Sequence, residues 1–337
     1  EKHQIVIGKS DETKEEYDVI VVGSRNITNV KIPNSIKIIN SNAFKGCSYL
    51  TEVEIEPNSK LERIGTNAFS STKIETFKIP KSVEIIEPHS FDYCEKLYRV
   101  EIEEGSQLKV IQHDTFTFCE VLETFIIPVN SKIEMIEADA FEGTSIEELF
   151  IPSSLIFLQD NWNNRMKKLS NLILSPNNPK FKYMDDTQQI IVCKSDPNLK
   201  NFDVICFANS MIKKLIIPSY IKYISSSAFS FCKQLKKIEI PENSELYSIG
   251  SYSFHSSSIQ SLIIPKNIGI IDFYAFNDCS SIKCIEFTGD SLISKLDFIS
   301  STDLQIISFP NLKELEFKIS DDYDPDGCKF KASIILI

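Results

Sequence analysis

The sequence predicts a right-handed solenoid of parallel β-strands, one strand per coil of 22–25 residues, with irregular or 3₁₀ turns opposite the strands and little α-helix. Three observations carry that prediction. Residues 32–55 read IPNSIKIINSNAFKGCSYLTEVEI and residues 56–79 read EPNSKLERIGTNAFSSTKIETFKI, so one pattern is written twice in succession. Its Phe recurs at Phe44, Phe69, Phe91, Phe116 and Phe141, and again at Phe229, Phe254 and Phe276, in steps of 22 or 25 residues. Above that period lies a longer one: an offset of 185 maps residues 4–44 onto residues 189–229 without a gap, with 17 identical positions. A unit this small cannot bury its own apolar side and must stack on its neighbours.

Taken in order, residues 1–26 open with alternating apolar runs, Ile5 and Ile7 and then Val19 to Val22, joined by the polar stretch Lys9 to Glu16. Two such runs with a polar connection read as a β-hairpin, here a partial insertion between coils. Residues 27–174 form a first array. Each coil has an apolar pair (Ile36 and Ile39; Leu61 and Ile64), then Ala-Phe, then a small residue three positions on, then a strand of the form L/I-x-x-V/F-x-I. The turn after the strand is short at Pro33, Pro80 and Pro152 and longer at Pro57-Asn58-Ser59; proline ends a strand by withholding a donor and fixing φ. The coil at 152–174 is degenerate, with Asn161-Trp162-Asn163 where Ala-Phe belongs. Trp162 is expected to fill the space of the missing Phe rather than to form a sugar-stacking platform. Residues 175–211 hold the second hairpin (Ile190 and Val192; Val204 to Phe207), residues 212–320 a second array, and residues 321–337 an irregular C-terminal segment. Roughly a dozen coils at about 4.8 Å each give a body about 60 Å long.

Bulk properties narrow the function classes. With 42% apolar and 25% charged residues the chain is that of a folded protein rather than a disordered one. A formal charge of −11 argues against general nucleic-acid binding, which needs a basic footprint. No apolar run approaches the ~18 residues of a membrane span. The chain begins at Glu1 with neither Met nor an apolar leader, which reads as a mature or trimmed form, so a missing leader or anchor says little about location. Five of the nine cysteines, Cys47, Cys94, Cys119, Cys232 and Cys279, fall three residues after the coil's Phe, where other coils have Thr72, Thr144 or Ser257. A position shared by Cys, Thr and Ser calls for a small, weakly hydrogen-bonding group, so these are expected to be buried thiols. Cys94 and Cys119, on adjacent coils, are the pair best placed for a bridge. A zinc site is not expected, because no C-x-x-C pair and no His partner at ligand spacing is present.

The consensus I-P-x-S-[IV]-x-x-I-x-x-x-A-F-x-x-C-x-x-L-x-x-[IV]-x-I resembles the BspA-type (Treponema pallidum-type) leucine-rich repeat of surface proteins, over residues 27–175 and 212–290. The resemblance implies a leucine-rich-repeat solenoid with the strands on its concave side. It also implies a cell-surface or secreted location, adhesion, and partners that are proteins of the host matrix or of other cells. An intracellular leucine-rich-repeat scaffold in the cytoplasm, which reduced in-phase cysteines suit, and a carbohydrate-binding surface protein are the alternatives.

Alternation along each strand sends the named apolar positions inward and the x positions outward. The row before the last strand Ile reads Lys31, Glu54, Lys78, Glu101, Ile126, Phe150, Ile173, Ile216, Glu239, Ile263, Glu286. Packing within a coil does not account for outward Ile126, Phe150, Ile173 and Ile216, and an apolar patch rimmed by charge marks an interface. The competing reading is internal cover by a hairpin or lateral loop. Glu123, Glu147 and Glu148 precede the second hairpin; Lys213, Lys214, Lys236, Lys237 and Lys283 follow it. Opposite charge on either side could steer a dipolar partner, against a simply solvated face.

Enzyme motifs fail on inspection. Gly8-Lys9-Ser10 has the tail of a phosphate loop, but its first Gly would fall at His3 and it recurs as Cys193-Lys194-Ser195, which reads as a hairpin turn. His3, His89, His113 and His255 are scattered, and no catalytic set assembles at a repeated position, so no catalysis and no cofactor are expected. Asp322, Asp324 and Asp326 carry the front half of a calcium loop, but position twelve is Ser333, so the bidentate carboxylate is missing. Asn26-Ile27-Thr28 is an N-glycosylation sequon.

Overall fold

A computed structural model of the protein describes residues 4–13 and 15–288, together with the backbone of the strands Gln305–Ile307 and Ser333–Ile335. Among the described residues all regular structure is β. The chain divides into two compact units, Glu1–Lys180 and Phe181–Ile337.

In the first unit the predicted strands form and pair in parallel, coil on coil. Asn29–Ile32 runs beside Glu52–Ile55, Thr76–Ile79 beside Arg99–Ile102 and then Thr124–Ile126, and Glu148–Ile151 beside Asn171–Leu174. Their burial alternates as the pattern requires: in Thr76–Ile79, Phe77 and Ile79 are buried while Thr76 and Lys78 face out. A second ladder, which the sequence reading did not anticipate, crosses the other side of each coil. Ile38–Ile39, Arg63–Ile64 and Ile85–Ile86 pair in parallel, as do Val110–Ile111, Met135–Ile136 and Phe157–Leu158. Each coil therefore contributes two short parallel strands. The convex side consists of tight turns, with no 3₁₀ helix among the described residues.

Those turns hold the core. Phe44, Phe69, Phe91, Phe116 and Phe141 are buried and stack ring on ring, with centroids 5.2, 5.2, 5.3 and 5.7 Å apart. Offset stacking of this kind contributes beyond the area it buries. The turn backbone is satisfied in two directions. Ala43 N–H and Cys47 N–H donate to Asn40 O and Phe44 O within the turn. Asn42, Phe44 and Gly46 N–H donate instead to Thr66, Ala68 and Ser70 O of the next coil, at 2.9, 2.8 and 2.8 Å. Two left-handed residues four apart make this alternation possible: Asn42 and Gly46, Asn67 and Ser71, His89 and Tyr93, Asp114 and Phe118, Asp139 and Gly143, Asn161 and Arg165. By the same register Trp162 stands in the Ala position of its coil and Asn163 in the Phe position, both buried. Trp162 fills core space and is no exposed platform.

The first hairpin pairs Ile5–Gly8 with Val19–Gly23. Its return strand also serves the array, because Val19 and Ile20 continue the second ladder against Ile38 and Ile39. The Gly8-Lys9-Ser10 stretch is a hairpin turn: the Ser10 N–H and hydroxyl both donate to the buried Asp18 carboxylate at 2.7 Å.

The second unit repeats this plan at the 185 offset. Ser195 bonds Asp203 as Ser10 bonds Asp18, and Val204–Ala208 opens a ladder through Tyr223–Ile224, Ser248–Ile249 and Ile270–Ile271. Here the hairpin gains a third strand, Phe181–Tyr183, antiparallel to Ile190–Cys193. The outward strand residues of this hairpin are buried, whereas Val6, Ile7, Val21 and Val22 of the first are exposed. Lys214–Ile216, Lys237–Glu239, Ser261–Ile264 and Cys284–Phe287 form the face of longer strands. Beyond them Gln305–Ile307 and Ser333–Ile335 pair in parallel, so part of the segment expected to be irregular is strand. Asp322, Asp324 and Asp326 lie outside the described residues.

Candidate functional site

The faces of longer strands are where outward side chains line up. In the first unit register alone places Lys31 beside Glu54, Lys78 beside Glu101, and Phe150 beside Ile173. At the charged end Lys31 Nζ lies 2.9 Å from Glu54 of the same row, and Lys78 Nζ 3.7 Å from Glu103 outside it. Such exposed pairs contribute little to stability. The apolar end has no such partners. Ile126 and Ile173 are exposed, Ile173 to 42%, and Phe150 is half-buried. Within the same unit the first hairpin's return strand joins the second ladder, through Val19 and Ile20.

The flanking acids are partly engaged. Glu123 forms an ion pair with Lys168 at 3.4 Å, and Glu148 accepts from Asn171 Nδ2 at 3.4 Å, while Glu147 uses its carbonyl to receive Ser170 and Asn171 N–H. In the second unit Ile216 is 63% exposed and Ile263 51%. Lys214 stands directly beside Lys237 in the ladder, and Lys213 and Lys236 occupy the preceding position of the same two coils. Lys237 pairs with Glu239 at 2.7 Å and holds that carboxyl below its usual range. Each unit thus presents outward isoleucines, with acids beside them in the first and a block of four lysines in the second. Asn26 of the sequon is exposed.

The cysteines behave as the small-residue position demands. Cys47, Cys94, Cys119, Cys232 and Cys279 are buried thiols. Cys94, Cys119 and Cys279 donate to the carbonyls of Phe69, Phe91 and Phe254 at 3.2, 3.0 and 2.9 Å. Burial pushes Cys232 up to about 12 and Cys279 to about 11. Cys94 and Cys119 are unbridged, and in the second hairpin the sulfurs of Cys193 and Cys206 lie 2.9 Å apart.

One cluster escaped the sequence reading. The step of 24 residues between His89 and His113 places them on adjacent coils, with ring centroids 5.7 Å apart and planes nearly perpendicular. Asp114 lies against both.

The profile of the BspA type leucine rich repeat region matches residues 21–132, 101–187 and 200–320, in 6 copies. Among solved structures the chain is similar to a leucine rich cell surface protein from Faecalibacterium prausnitzii A2-165, at 25% identity and TM-score 0.61, covering 80% of this chain and 75% of that one. It is similar also to the pneumococcal vaccine antigen PcpA (22% identity, TM-score 0.57, 87% of this chain and 69% of that one). A leucine-rich repeat protein from Eubacterium ventriosum ATCC 27560 gives 17% identity and TM-score 0.56, over 87% and 72%. The last two likenesses bear on the fold alone. No curated protein matches the chain.

Proposed function

Because the chain belongs to the BspA-type leucine-rich repeat family, we propose that it is a non-enzymatic cell-surface recognition module that binds protein partners, of the host matrix or of other cells, through its faces of longer strands. The observation that carries this reading is the outward apolar row on an otherwise charged face, with Ile126 and Ile173 exposed and Phe150 half-buried between them. Aliphatic and aromatic side chains held on a rigid ladder form a contact patch that needs little ordering on binding. Glu147 and Glu148 rim it, and Ile216 with Lys213, Lys214, Lys236 and Lys237 forms a corresponding patch of opposite charge on the second unit. Charge of this kind acts on encounter rate and orientation more than on affinity. The surface location is supported by the similar Faecalibacterium prausnitzii protein, which is described as a cell surface protein. No described helix is long and apolar enough to cross a membrane.

One observation favours a second reading. Five in-phase cysteines held as thiols suit a reducing compartment, and therefore an intracellular scaffold using the same faces. Immunostaining of intact against permeabilised cells separates the two. Labelling only after permeabilisation contradicts the surface reading and leaves the binding face in place.

A further inference from the structure

We propose that His89, His113 and Asp114 form a binding site for a divalent transition metal of the zinc class, with Asp92 seated behind His89 as the carboxylate that orients its ring. The coil period makes the site. His89 and Asp114 occupy the same left-handed turn position on successive coils, with φ of 59° and 56°, and His113 adjoins Asp114. Asp114 Oδ2 lies 3.0 Å from His113 Nδ1 and 3.8 Å from His89 Nε2. One ligand atom from each of the three residues falls within 4.8 Å of the others. A tetrahedral zinc with bonds of about 2.0–2.1 Å separates its ligands by about 3.3 Å, so small side-chain rotations close the set.

Asp92 supplies an independent observation. It is only 8% exposed, and its Oδ1 has no hydrogen-bond partner. Its Oδ2 lies 3.6 Å from His89 Nδ1, the nitrogen turned away from Asp114. A carboxylate behind a ligand imidazole fixes the tautomer and raises the basicity of the ligating nitrogen. Two imidazoles and one carboxylate favour zinc-class ions over calcium or magnesium, which prefer all-oxygen shells. His113 is exposed, so the fourth position opens to water.

The test is calorimetric titration of the whole chain with Zn²⁺ at neutral pH, with Ca²⁺ and Mg²⁺ run alongside. The expected result is one saturable Zn²⁺ per chain, no saturable Ca²⁺ or Mg²⁺ binding there, and at least about tenfold weaker Zn²⁺ binding in His113→Ala and in Asp92→Asn. Cobalt substitution reports the same ligands as a visible absorption band that His113→Ala removes. Because His113 is exposed, His113→Ala leaves the fold intact, which circular dichroism checks. Zn²⁺ affinity unchanged in a folded His89→Ala/His113→Ala variant, or no saturable Zn²⁺ binding by the natural chain, overturns the proposal.

Discussion

The residue that reports most on the coil is the one in the left-handed turn. Non-glycine side chains pay about 1–2 kcal/mol for that conformation, yet Asn, Ser, His, Tyr, Asp, Phe and Arg all occupy it here. They hold it because the turns send alternate N–H groups to carbonyls of the next coil, at 2.8–3.4 Å in the first unit. Gly143, at φ 71°, adds a steric demand: a Cβ there would meet the Phe118 ring at 2.9 Å. Gly143→Ala is therefore expected to lower stability by about 2 kcal/mol, and Gly105→Ala, at φ 81° with nothing nearby, by about 1 kcal/mol. Denaturant midpoints of the two variants measure the difference, and equal losses would contradict the contact. The thiols give a second residue-scale prediction. With Cys232 and Cys279 pushed to about 12 and 11, almost no thiolate exists at pH 8. Native protein treated with iodoacetamide should react at half-buried Cys284 before any of the five in-phase cysteines, and unfolding should release all of them. The burial of that position was legible in the sequence because Cys, Thr and Ser share it. The left-handed pair was not, because no glycine signature marks it: its occupants vary from coil to coil.

At the scale of the element, the anchoring Phe column and the longer strands follow from period and alternation alone. The second ladder does not, since two-residue strands such as Arg63–Ile64 are too short to show a period. The Phe181–Tyr183 strand was hidden in a polar lead-in for the same reason. His89 and His113 could be paired only once the coil step was read as a distance in space: one rung of 25 residues sets Asp114 beside His89, and His113 adjoins Asp114. The Phe column should also dominate the energetics. Phe91 stacks between Phe69 and Phe116 and takes the edge of Phe77 at 4.8 Å. Phe91→Ala is expected to cost about 3–5 kcal/mol, and Phe91→Leu less because it keeps most of the volume. In a solenoid stability sums over coils and their interfaces, and this one ring serves two interfaces. Chemical denaturation checks both variants; a loss near zero for Phe91→Ala would show that neighbouring rings close the gap.

For the whole molecule, sequence and fold agree on what the scaffold is, while its ligand depends on side chains that the repeat leaves free to vary. The inward positions are dictated coil by coil. The outward row is not: it changes from Lys31, Glu54, Lys78 and Glu101 to Ile126, Phe150 and Ile173. That change was legible from alternation, which sends Ile126 and Ile173 outward, and both are exposed. The central claim is that this row is a protein-contact surface. The most direct measurement is surface plasmon resonance of the natural chain and of Phe150→Asp/Ile173→Asp against matrix proteins, glycans and whole cells, with circular dichroism confirming the variant's fold. Saturable binding to a protein, weakened at least tenfold in the folded variant, is the predicted result. Binding that the folded variant retains in full, or binding to glycans alone, would contradict it.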